Sequence, residues 1–210
     1  MKREEKNALS RQRILEAALE EFSCKGYDGA SLNTVWTKKG ISKGIIYHYF
    51  KDKDELYLLC VEACFDALTE YLKTVSVTLS GPARKQLQEY FDARLSFFSV
   101  HPLYLGIFAD AVFRPPAQLL PEITVRRKAF DELNISVLTK LLRSENLRAG
   151  LSVDTVVEDF RIYMDYFNMR FQMDFSAEDS LKDILDKHEE RCHQQLDILL
   201  YGVLGEHNES

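Results

Sequence analysis

The chain has 210 residues, of which 46% are apolar and 29% charged, and its formal net charge is −6. This composition is ordinary for a globular protein with a buried core, and no run of about 18 apolar residues predicts a membrane-spanning segment. The N-terminal stretch MKREEKNALSRQR lacks the apolar segment of a secretion signal, so we expect a cytoplasmic protein. The four cysteines form no paired framework by their spacing, which fits reduced thiols.

The charge is distributed unevenly along the chain. Residues 1–53 carry 11 Lys and Arg against 7 Asp and Glu, whereas the remainder carries 16 against 26. This asymmetry favours a basic N-terminal unit that faces a polyanion and an acidic body with another role. Because a four-charge excess also arises by chance, this interpretation requires support from the pattern of residues.

The first predicted elements are two helices. The first covers residues 7–25, because its apolar residues form one stripe and Gly26 is a natural C-terminal stop. Ser31 is placed to cap a short second helix that ends at Gly40. We find no sustained alternation of apolar and polar residues and no hairpin signal, here or later in the chain.

The third predicted helix begins at Ser42 and runs to about Phe50. The tight turn KGIS joins it to the second helix, so the three together predict a helix-turn-helix. At 100° per residue, one half of this helix is apolar or aromatic and the other half carries four different residues: Lys43, Gly44, Tyr47 and His48.

That second half has the residue types of a DNA-reading surface. Lys43 is able to reach guanine edges or phosphate, and Tyr47 and His48 are able to donate to phosphate oxygens. Gly44 costs about 1 kcal/mol of helix stability relative to alanine, which favours a functional reason such as close approach to another molecule. For any single residue a solvated helix face is the better interpretation, but for the whole set behind a capped turn we favour DNA.

Six longer helices are predicted after the third. An aspartate-led capping box at residues 52–55 begins the fourth, and proline, glycine or serine signals bound the others. The fourth runs towards Leu79, the fifth opens at Pro82, the sixth lies between Pro102 and Arg114, the seventh starts at Pro121, and the last two cover about 152–174 and 176–204. We therefore predict an all-α fold of about nine helices, with a helix-turn-helix domain at 1–53 and a larger helical domain at 54–210.

The stretch RILEAALEEFSCKGYDGASLNTVWTKKGISKGIIYHYFKDKDELY resembles the N-terminal domain of the TetR family of bacterial transcriptional regulators. The resemblance covers about residues 10–57, and 40–53 match the family pattern nearly in full. It implies a homodimer with paired DNA-binding heads and a helical body that dimerises and binds a small-molecule effector. By matching positions it places eight residues at DNA: Ser31, Lys39, Ser42, Lys43, Gly44, Tyr47, His48 and Lys53. Lys39 and Trp36 depart from the small alanines usual in the family.

The apolar residues of the last two predicted helices favour these helices as the dimer interface. They offer more apolar surface than one helix pair can bury, and the alternative is that the rest of the body covers it. The residues are Phe160, Tyr163, Met164, Phe167 and Phe171 on the eighth predicted helix and Leu181, Ile184, Leu185, Leu196, Leu199 and Leu200 on the ninth.

The resemblance fades beyond about residue 60, so the effector site is predicted from composition. The fifth to eighth predicted helices are rich in aromatic residues with a few polar groups among them, which is how small-molecule sites are made. Core packing is the safer interpretation for any one of these residues. The candidates for binding an apolar or amphipathic effector are Phe91, Arg94, Phe98, Tyr104, Phe108, Phe130, Asn134, Tyr163 and Phe167.

Other chemistry has little support in the sequence. Glu190-x-x-His193 matches half of a di-iron motif, but the second copy that this site requires is missing. His188, Cys192 and His193 have helical spacing, yet three ligands on one turn make a poor structural zinc site. No nucleophile elbow or phosphate loop occurs, so we expect no catalytic residues, no metal and no cofactor. The function predicted is a ligand-responsive regulator, a repressor that binds a palindromic operator; the alternative is an all-helical enzyme or adaptor with an incidental basic head.

Overall fold

The computed structural model describes residues 3–38, 49–173 and 181–203. Within those ranges the chain forms helices and no strand, which confirms the predicted all-α fold class. The helices are α1 (Arg3–Gly29), α2 (Leu32–Lys38), α3 (Lys53–Ser76), α4 (Ala83–Val100), α5 (Pro102–Phe113), α6 (Leu120–Arg143), α7 (Val153–Met173) and α8 (Leu181–Val203), with a 3-10 turn at Ala117–Leu119. The third predicted helix lies almost wholly outside the described residues and takes no label.

The ends of the helices follow the capping signals of the sequence. Gly26 has φ 67° and ψ 179°, a left-handed conformation that interrupts α1 where the first helix was predicted to stop. At the start of α3, the Glu55 N–H donates to Asp52 Oδ1 at 2.9 Å, and the Lys51 N–H donates to Glu55 Oε2 at 2.7 Å. At the start of α7, the Thr155 N–H donates to Ser152 Oγ at 3.1 Å. These side chains satisfy donors that a helix start leaves unpaired.

The chain divides into two compact units. The first comprises Met1–Ala67 and Val100–Lys128, and the second comprises Leu68–Ser99 and Ala129–Ser210. Helix α5 therefore belongs with α1, α2 and the first part of α3, while α4, α7 and α8 belong to the second unit. The functional boundary drawn between residues 53 and 54 from the sequence stays a prediction.

The core of the first unit forms where α1, α3 and α5 bury their apolar faces. The most deeply buried large side chains there are Ile14, Phe22, Leu56, Tyr57, Phe65, Ile107 and Phe108. Phe65 and Phe108 pack with ring centroids 5.6 Å apart. Cys60 and Cys64 are also buried in this core, and burial raises the pKa of both thiols, so they act as small apolar residues.

The core of the second unit is built from α4, α6, α7, α8 and the last part of α3. Its buried apolar residues include Leu72, Leu87, Phe97, Phe98, Phe130, Leu138, Leu142, Phe167, Phe171, Ile184, Leu185 and Leu196. Among the described residues, no single helix is long and apolar enough to cross a membrane, and one pair joined across the break at His101 reaches that length and composition only together.

Candidate nucleic-acid interface

Most of the predicted DNA-reading residues lie outside the described part of the chain. These are Lys39, Ser42, Lys43, Gly44, Tyr47 and His48. Their roles stay predictions from the sequence, and the structure instead shows how the segments on either side of them are held.

The segment before them is fixed by a buried carboxylate. Glu21 on α1 is fully buried, and its Oε1 accepts the Ser31 N–H at 3.2 Å and the Lys25 ammonium at 2.8 Å. The Ser31 carbonyl in turn accepts the N–H groups of Thr34 and Val35 at 3.0 and 3.2 Å. Ser31 thus occupies the cap position of α2, as predicted, and its contact with phosphate stays a prediction.

The segment after them is tied to the N-terminal turns of α1. The Tyr49 hydroxyl donates to Asn7 Oδ1 at 2.9 Å, and the Arg11 guanidinium lies 5.8 Å from the centroid of the buried Phe50 ring. Ser31 at the start of α2 and Tyr49 and Phe50 therefore all contact α1. The family resemblance places the recognition helix between these two attachments.

Lys53 is also held by this unit. Its ammonium lies 4.5 Å from the centroid of the Tyr27 ring and donates to the Asp28 carbonyl at 3.3 Å. A cation–π contact and one hydrogen bond leave two of the three ammonium protons for other acceptors. Lys53 is therefore positioned rather than loose, which is compatible with the predicted phosphate contact.

A buried aspartate joins α1 and α3 to α5. Asp110, on α5, is 5% exposed, and its Oδ2 accepts the Tyr27 N–H and the Tyr57 hydroxyl, each at 2.9 Å. Tyr27 comes directly after the kink at Gly26, and Tyr57 lies in the second turn of α3. One carboxylate oxygen thus holds the end of α1 and the start of α3 to a single point on α5.

The tyrosines around Asp110 form a connected aromatic cluster. The Tyr57 ring packs edge-on against Phe22 and Tyr27, with centroid distances of 5.2 and 5.1 Å. The Tyr27 hydroxyl donates to Asp54 Oδ1 at 2.5 Å and accepts a hydrogen bond from Gln118 Nε2 at 3.2 Å. The cluster therefore reaches the first turn of α3, where Lys53 also lies.

Burial sets the ionisation of this cluster. It raises the pKa of the Asp110 carboxyl above its usual value, against the opposing effect of the hydrogen bonds from Tyr27 and Tyr57. It also raises the pKa of the Tyr57 hydroxyl, which therefore stays a donor at neutral pH. The neutral Tyr57 hydroxyl therefore donates to the Asp110 carboxyl, whose negative charge is costly to bury.

Asp110 was not predicted from the sequence to have a role. It is the single carboxylate in the otherwise apolar stretch LGIFADAVF, residues 105–113. A charged residue inside an apolar helix must be paired or hydrogen-bonded when buried, and that rule was the available signal. Its partners, 83 and 53 residues away in the chain, were not accessible to that rule.

We expect Asp110→Asn and Asp110→Leu to have very different effects on stability. The Asn side-chain oxygen accepts the same two hydrogen bonds without a buried charge, so its free energy of unfolding should stay within about 1 kcal/mol of wild type. Leu strands two donors, at about 1–3 kcal/mol each, and should destabilise by roughly 2–5 kcal/mol. Urea unfolding of the three proteins measures this difference.

The pH dependence of the same variants gives a second measurement. The pKa of Asp110 is raised in the folded protein, so the folded state holds this proton more tightly than the unfolded state. Its contribution to stability is therefore lost as pH rises through the folded pKa, and Asp110→Asn should remove that part of the dependence. Equal unfolding free energies for the Asn and Leu variants at every pH would contradict the role assigned to the carboxylate.

The predicted effector residues are divided between the two units. Tyr104 and Phe108 lie in the first unit, where Phe108 is part of the core and the Tyr104 carbonyl accepts the Cys64 thiol at 3.4 Å. The other seven lie in the second unit, namely Phe91, Arg94, Phe98, Phe130, Asn134, Tyr163 and Phe167. Asn134 Oδ1 accepts the Tyr90 hydroxyl at 2.9 Å. Assignment of these nine residues to a ligand site stays a prediction.

Arg94 is the centre of a buried polar cluster in the second unit. Its Nε donates to Glu189 Oε2 at 3.1 Å and its Nη2 makes a still closer ion pair with the same oxygen. Although burial opposes charge on both groups, their mutual attraction raises the pKa of Arg94 and lowers that of Glu189. The pair is ionised and electrically balanced.

His188 and Cys192 complete this cluster. His188 Nε2 lies 2.9 Å from Asn168 Oδ1. The His188 ring packs against the rings of Phe167 and Phe171, with centroid distances of 5.0 and 4.9 Å. Burial lowers the pKa of His188, so the imidazole is neutral at pH 7. Sequence reasoning considered His188 and Cys192 only as metal ligands and missed Glu189, because an acidic residue in a charged helix gives no sign of burial.

The comparison with known families matches one family. Residues 14–60 match the sequence model of the family described as bacterial regulatory proteins, tetR family. The chain is also 34% identical over 194 residues to IcaR of Staphylococcus epidermidis, described as the HTH-type negative transcriptional regulator of the biofilm operon icaADBC. The match covers 90% of this chain and 98% of that relative.

Solved structures share the fold over nearly the whole chain. A putative TetR-family transcriptional regulator from Mesorhizobium loti superposes with a TM-score of 0.63 at 18% identity, covering 98% of this chain and all of that one. The regulator FadR from Bacillus subtilis, solved in complex with stearoyl-CoA, gives 0.61 at 17% identity and covers 86% of this chain and 96% of that one. At these identities the likeness shows the fold alone. The proteins named here are regulators of transcription and not enzymes.

Proposed function

The chain belongs to the TetR family of transcriptional regulators, and we propose that it represses its target genes as a homodimer that releases its operator when an effector binds. The observation that carries the proposal is the match to a negative regulator over 98% of that relative's length. A match confined to the head would support DNA binding only, whereas this one includes the body. The protein would act in the cytoplasm, where its DNA target lies.

The DNA-binding step is assigned to the N-terminal head. Recognition by Lys43, Gly44, Tyr47 and His48 is inferred from the sequence and the family. The structural support is local: Glu21 accepts the N–H of Ser31 at the start of α2, and Asn7 and Arg11 contact Tyr49 and Phe50.

The dimer is assigned to the last two helices. The sequence suggested that their aromatic and leucine residues form the interface, but the chain itself buries Phe167, Phe171, Ile184, Leu185 and Leu196. A different set is exposed on α7: Ile162 at 59%, Tyr166 at 57% and Met169 at 52%. Their spacing of four and three residues places them on one face of the helix. We assign this face to the second copy, as an isologous contact.

We expect Tyr166→Glu to convert the dimer into a monomer. Across a two-fold axis the change places two carboxylates in one interface, and burial of unpaired charge is costly. The dimer dissociation constant should rise at least about 100-fold, equivalent to about 2.7 kcal/mol. Sedimentation over a concentration series measures it. Val125→Glu, at a 70% exposed apolar residue on α6, is the matched control and should stay dimeric. A dimeric Tyr166→Glu protein would contradict the assigned face.

The effector step is assigned to the aromatic body. FadR, a protein of this fold, was solved in complex with stearoyl-CoA. The second unit of this chain is rich in aromatic side chains, among them Phe91, Phe98, Phe130 and Phe167. In a dimer that grips successive turns of the major groove, the two heads must lie about 34–36 Å apart. An effector that favours any other spacing lowers operator affinity.

Reciprocity between the two ligands tests this function. Operator duplexes are selected from a random pool with the purified protein, and metabolites are screened by thermal shift. An effector that weakens operator binding 100-fold must itself bind 100-fold more weakly to the operator complex, a coupling of about 2.7 kcal/mol. If selection yields no preferred duplex, the proposed sequence-specific DNA binding is wrong. If a metabolite binds with the same affinity in the presence and absence of operator, the proposed effector response is wrong.

A further inference from the structure

Helices α4 and α8 of the second unit face each other along an antiparallel seam. From one end to the other, Arg84 pairs with Asp197 at 2.8 Å, Phe91 packs against His193 with centroids 5.1 Å apart, and Arg94 pairs with Glu189. Residue numbers rise along α4 as they fall along α8, so the two helices are antiparallel. The seam thus brings His193, which the function so far does not use, beside two residues predicted to bind effector.

One polar group in this seam is unsatisfied. His193 Nε2 is buried and has no hydrogen-bond partner among the described residues. Beside it, Arg94 directs both Nε and Nη2 to the same oxygen of Glu189. Both groups touch one ring, since the Arg94 guanidinium carbon lies 4.8 Å from the Phe91 centroid. A buried unpaired nitrogen costs free energy and requires an explanation.

The charges of the seam decide which kind of molecule is able to form a hydrogen bond with His193 Nε2. Arg94 is already neutralised by Glu189, and the nearby His188 is neutral at pH 7. A carboxylate placed here would add an uncompensated negative charge next to that of Glu189, which is strongly unfavourable in a buried site. A neutral oxygen has no such cost, and a hydroxyl is able to donate to or accept from either tautomer of His193.

We propose that His193, beside Phe91 and the Arg94–Glu189 pair, binds the neutral oxygen of an apolar effector, such as an alcohol or ketone, in preference to a carboxylate. This inference rests on the proposed effector function of the second unit. The class of effector and the role of His193 both go beyond that function.

A matched pair of probes tests the class. 1-Octanol and octanoate have the same chain length and differ in the charge of the polar end at pH 7. Calorimetric titration of the full-length protein, with both probes below their aggregation concentrations, should show 1-octanol binding at least about tenfold more tightly. Equal affinities, tighter binding of octanoate, or no binding of either probe would overturn the proposal.

Two substitutions test the residue. His193→Phe keeps an aromatic ring against Phe91 and removes the nitrogen, so 1-octanol should bind about three- to tenfold more weakly, the value of one hydrogen bond. His193→Gln retains a side-chain amide that can bond the same oxygen and should restore most of the affinity. Unchanged 1-octanol affinity in His193→Phe would show that water satisfies the nitrogen and would overturn the proposal. Thermal unfolding of both variants checks that each is folded.

The outcome for operator DNA separates this inference from the proposed function. If 1-octanol binds with the predicted dependence on His193 but leaves operator affinity unchanged, the binding site stands and the sensor function fails. If 1-octanol releases operator equally well from wild type and His193→Phe, the sensor function stands and this inference fails.

Discussion

Gly106→Ala should destabilise the first unit by about 3 kcal/mol or more, although alanine is the better helix former. A Cβ at position 106 would lie only 2.7 Å from Ser23 Cα and closer still to the two Ser23 oxygen atoms. Helix propensity favours alanine by about 1 kcal/mol. Overpacking costs about 1–3 kcal/mol when side chains can adjust, and here the neighbour includes backbone, so the clash outweighs the propensity.

The clash also affects the hydrogen bonds of Asp110. To admit the extra methyl group, α1 and α5 must separate, and this disturbs the hydrogen bonds that Asp110 makes with Tyr27 and Tyr57. Chemical unfolding at a fixed protein concentration measures the decrease in the free energy of unfolding. Gly29→Ala is the matched control, because its Cβ would lie 3.4 Å from Lys25 Cβ, an ordinary contact, and it should be neutral or mildly stabilising. A Gly106→Ala protein as stable as Gly29→Ala would contradict the close approach of these helices.

Glu189→Leu should destabilise the second unit by about 3–5 kcal/mol. Arg94 would be left buried, charged and without its counterion, and removing one partner of a buried pair has a cost of this size. The Arg94→Met, Glu189→Leu double variant replaces both charges by apolar side chains of similar volume. Its free energy of unfolding should lie within about 1 kcal/mol of wild type or above it, because neither desolvation cost remains.

A double-mutant cycle by urea unfolding measures this coupling. It includes Arg94→Met alone, which leaves the Glu189 carboxylate unpaired and should also be strongly destabilising. If the cost of the double variant equals the sum of the two single variants, the groups do not interact and the cluster is misassigned. A cost below about 1 kcal/mol for Glu189→Leu would mean that water reaches Arg94.

The helices were predictable because their ends are specified by local chemistry. Asp52 caps α3 through the Glu55 N–H, Ser152 caps α7, and Gly26 interrupts α1 by adopting positive φ. Each of these signals acts within about four residues, so the sequence alone contains it. The predicted start of the last helix at Ser176 lies outside the described residues.

Long-range contacts were not predictable in the same way. Asp110 and Glu189 are ordinary acidic residues in the sequence, and only the fold brings them to Tyr57 and Arg94, 53 and 95 residues away. Which apolar residues of the last two helices stay exposed was not predictable for the same reason. Periodicity marked the apolar residues of α7 and α8 but did not tell which of them, such as Phe167, the same chain covers and which, such as Tyr166, it leaves exposed.

Operator affinity as a function of salt concentration tests the central claim most directly. If the dimer engages roughly six to ten phosphates, affinity for a selected duplex should fall about 10³–10⁵-fold between 50 and 200 mM salt. Tyr47→Ala should weaken binding to every duplex, whereas Lys43→Ala should also blur the preference among sequences. Val125→Glu, far from the predicted DNA-binding residues in the sequence, serves as the control. Binding that is insensitive to salt, with unchanged affinity in Tyr47→Ala, would contradict the assignment of this chain as a DNA-binding regulator.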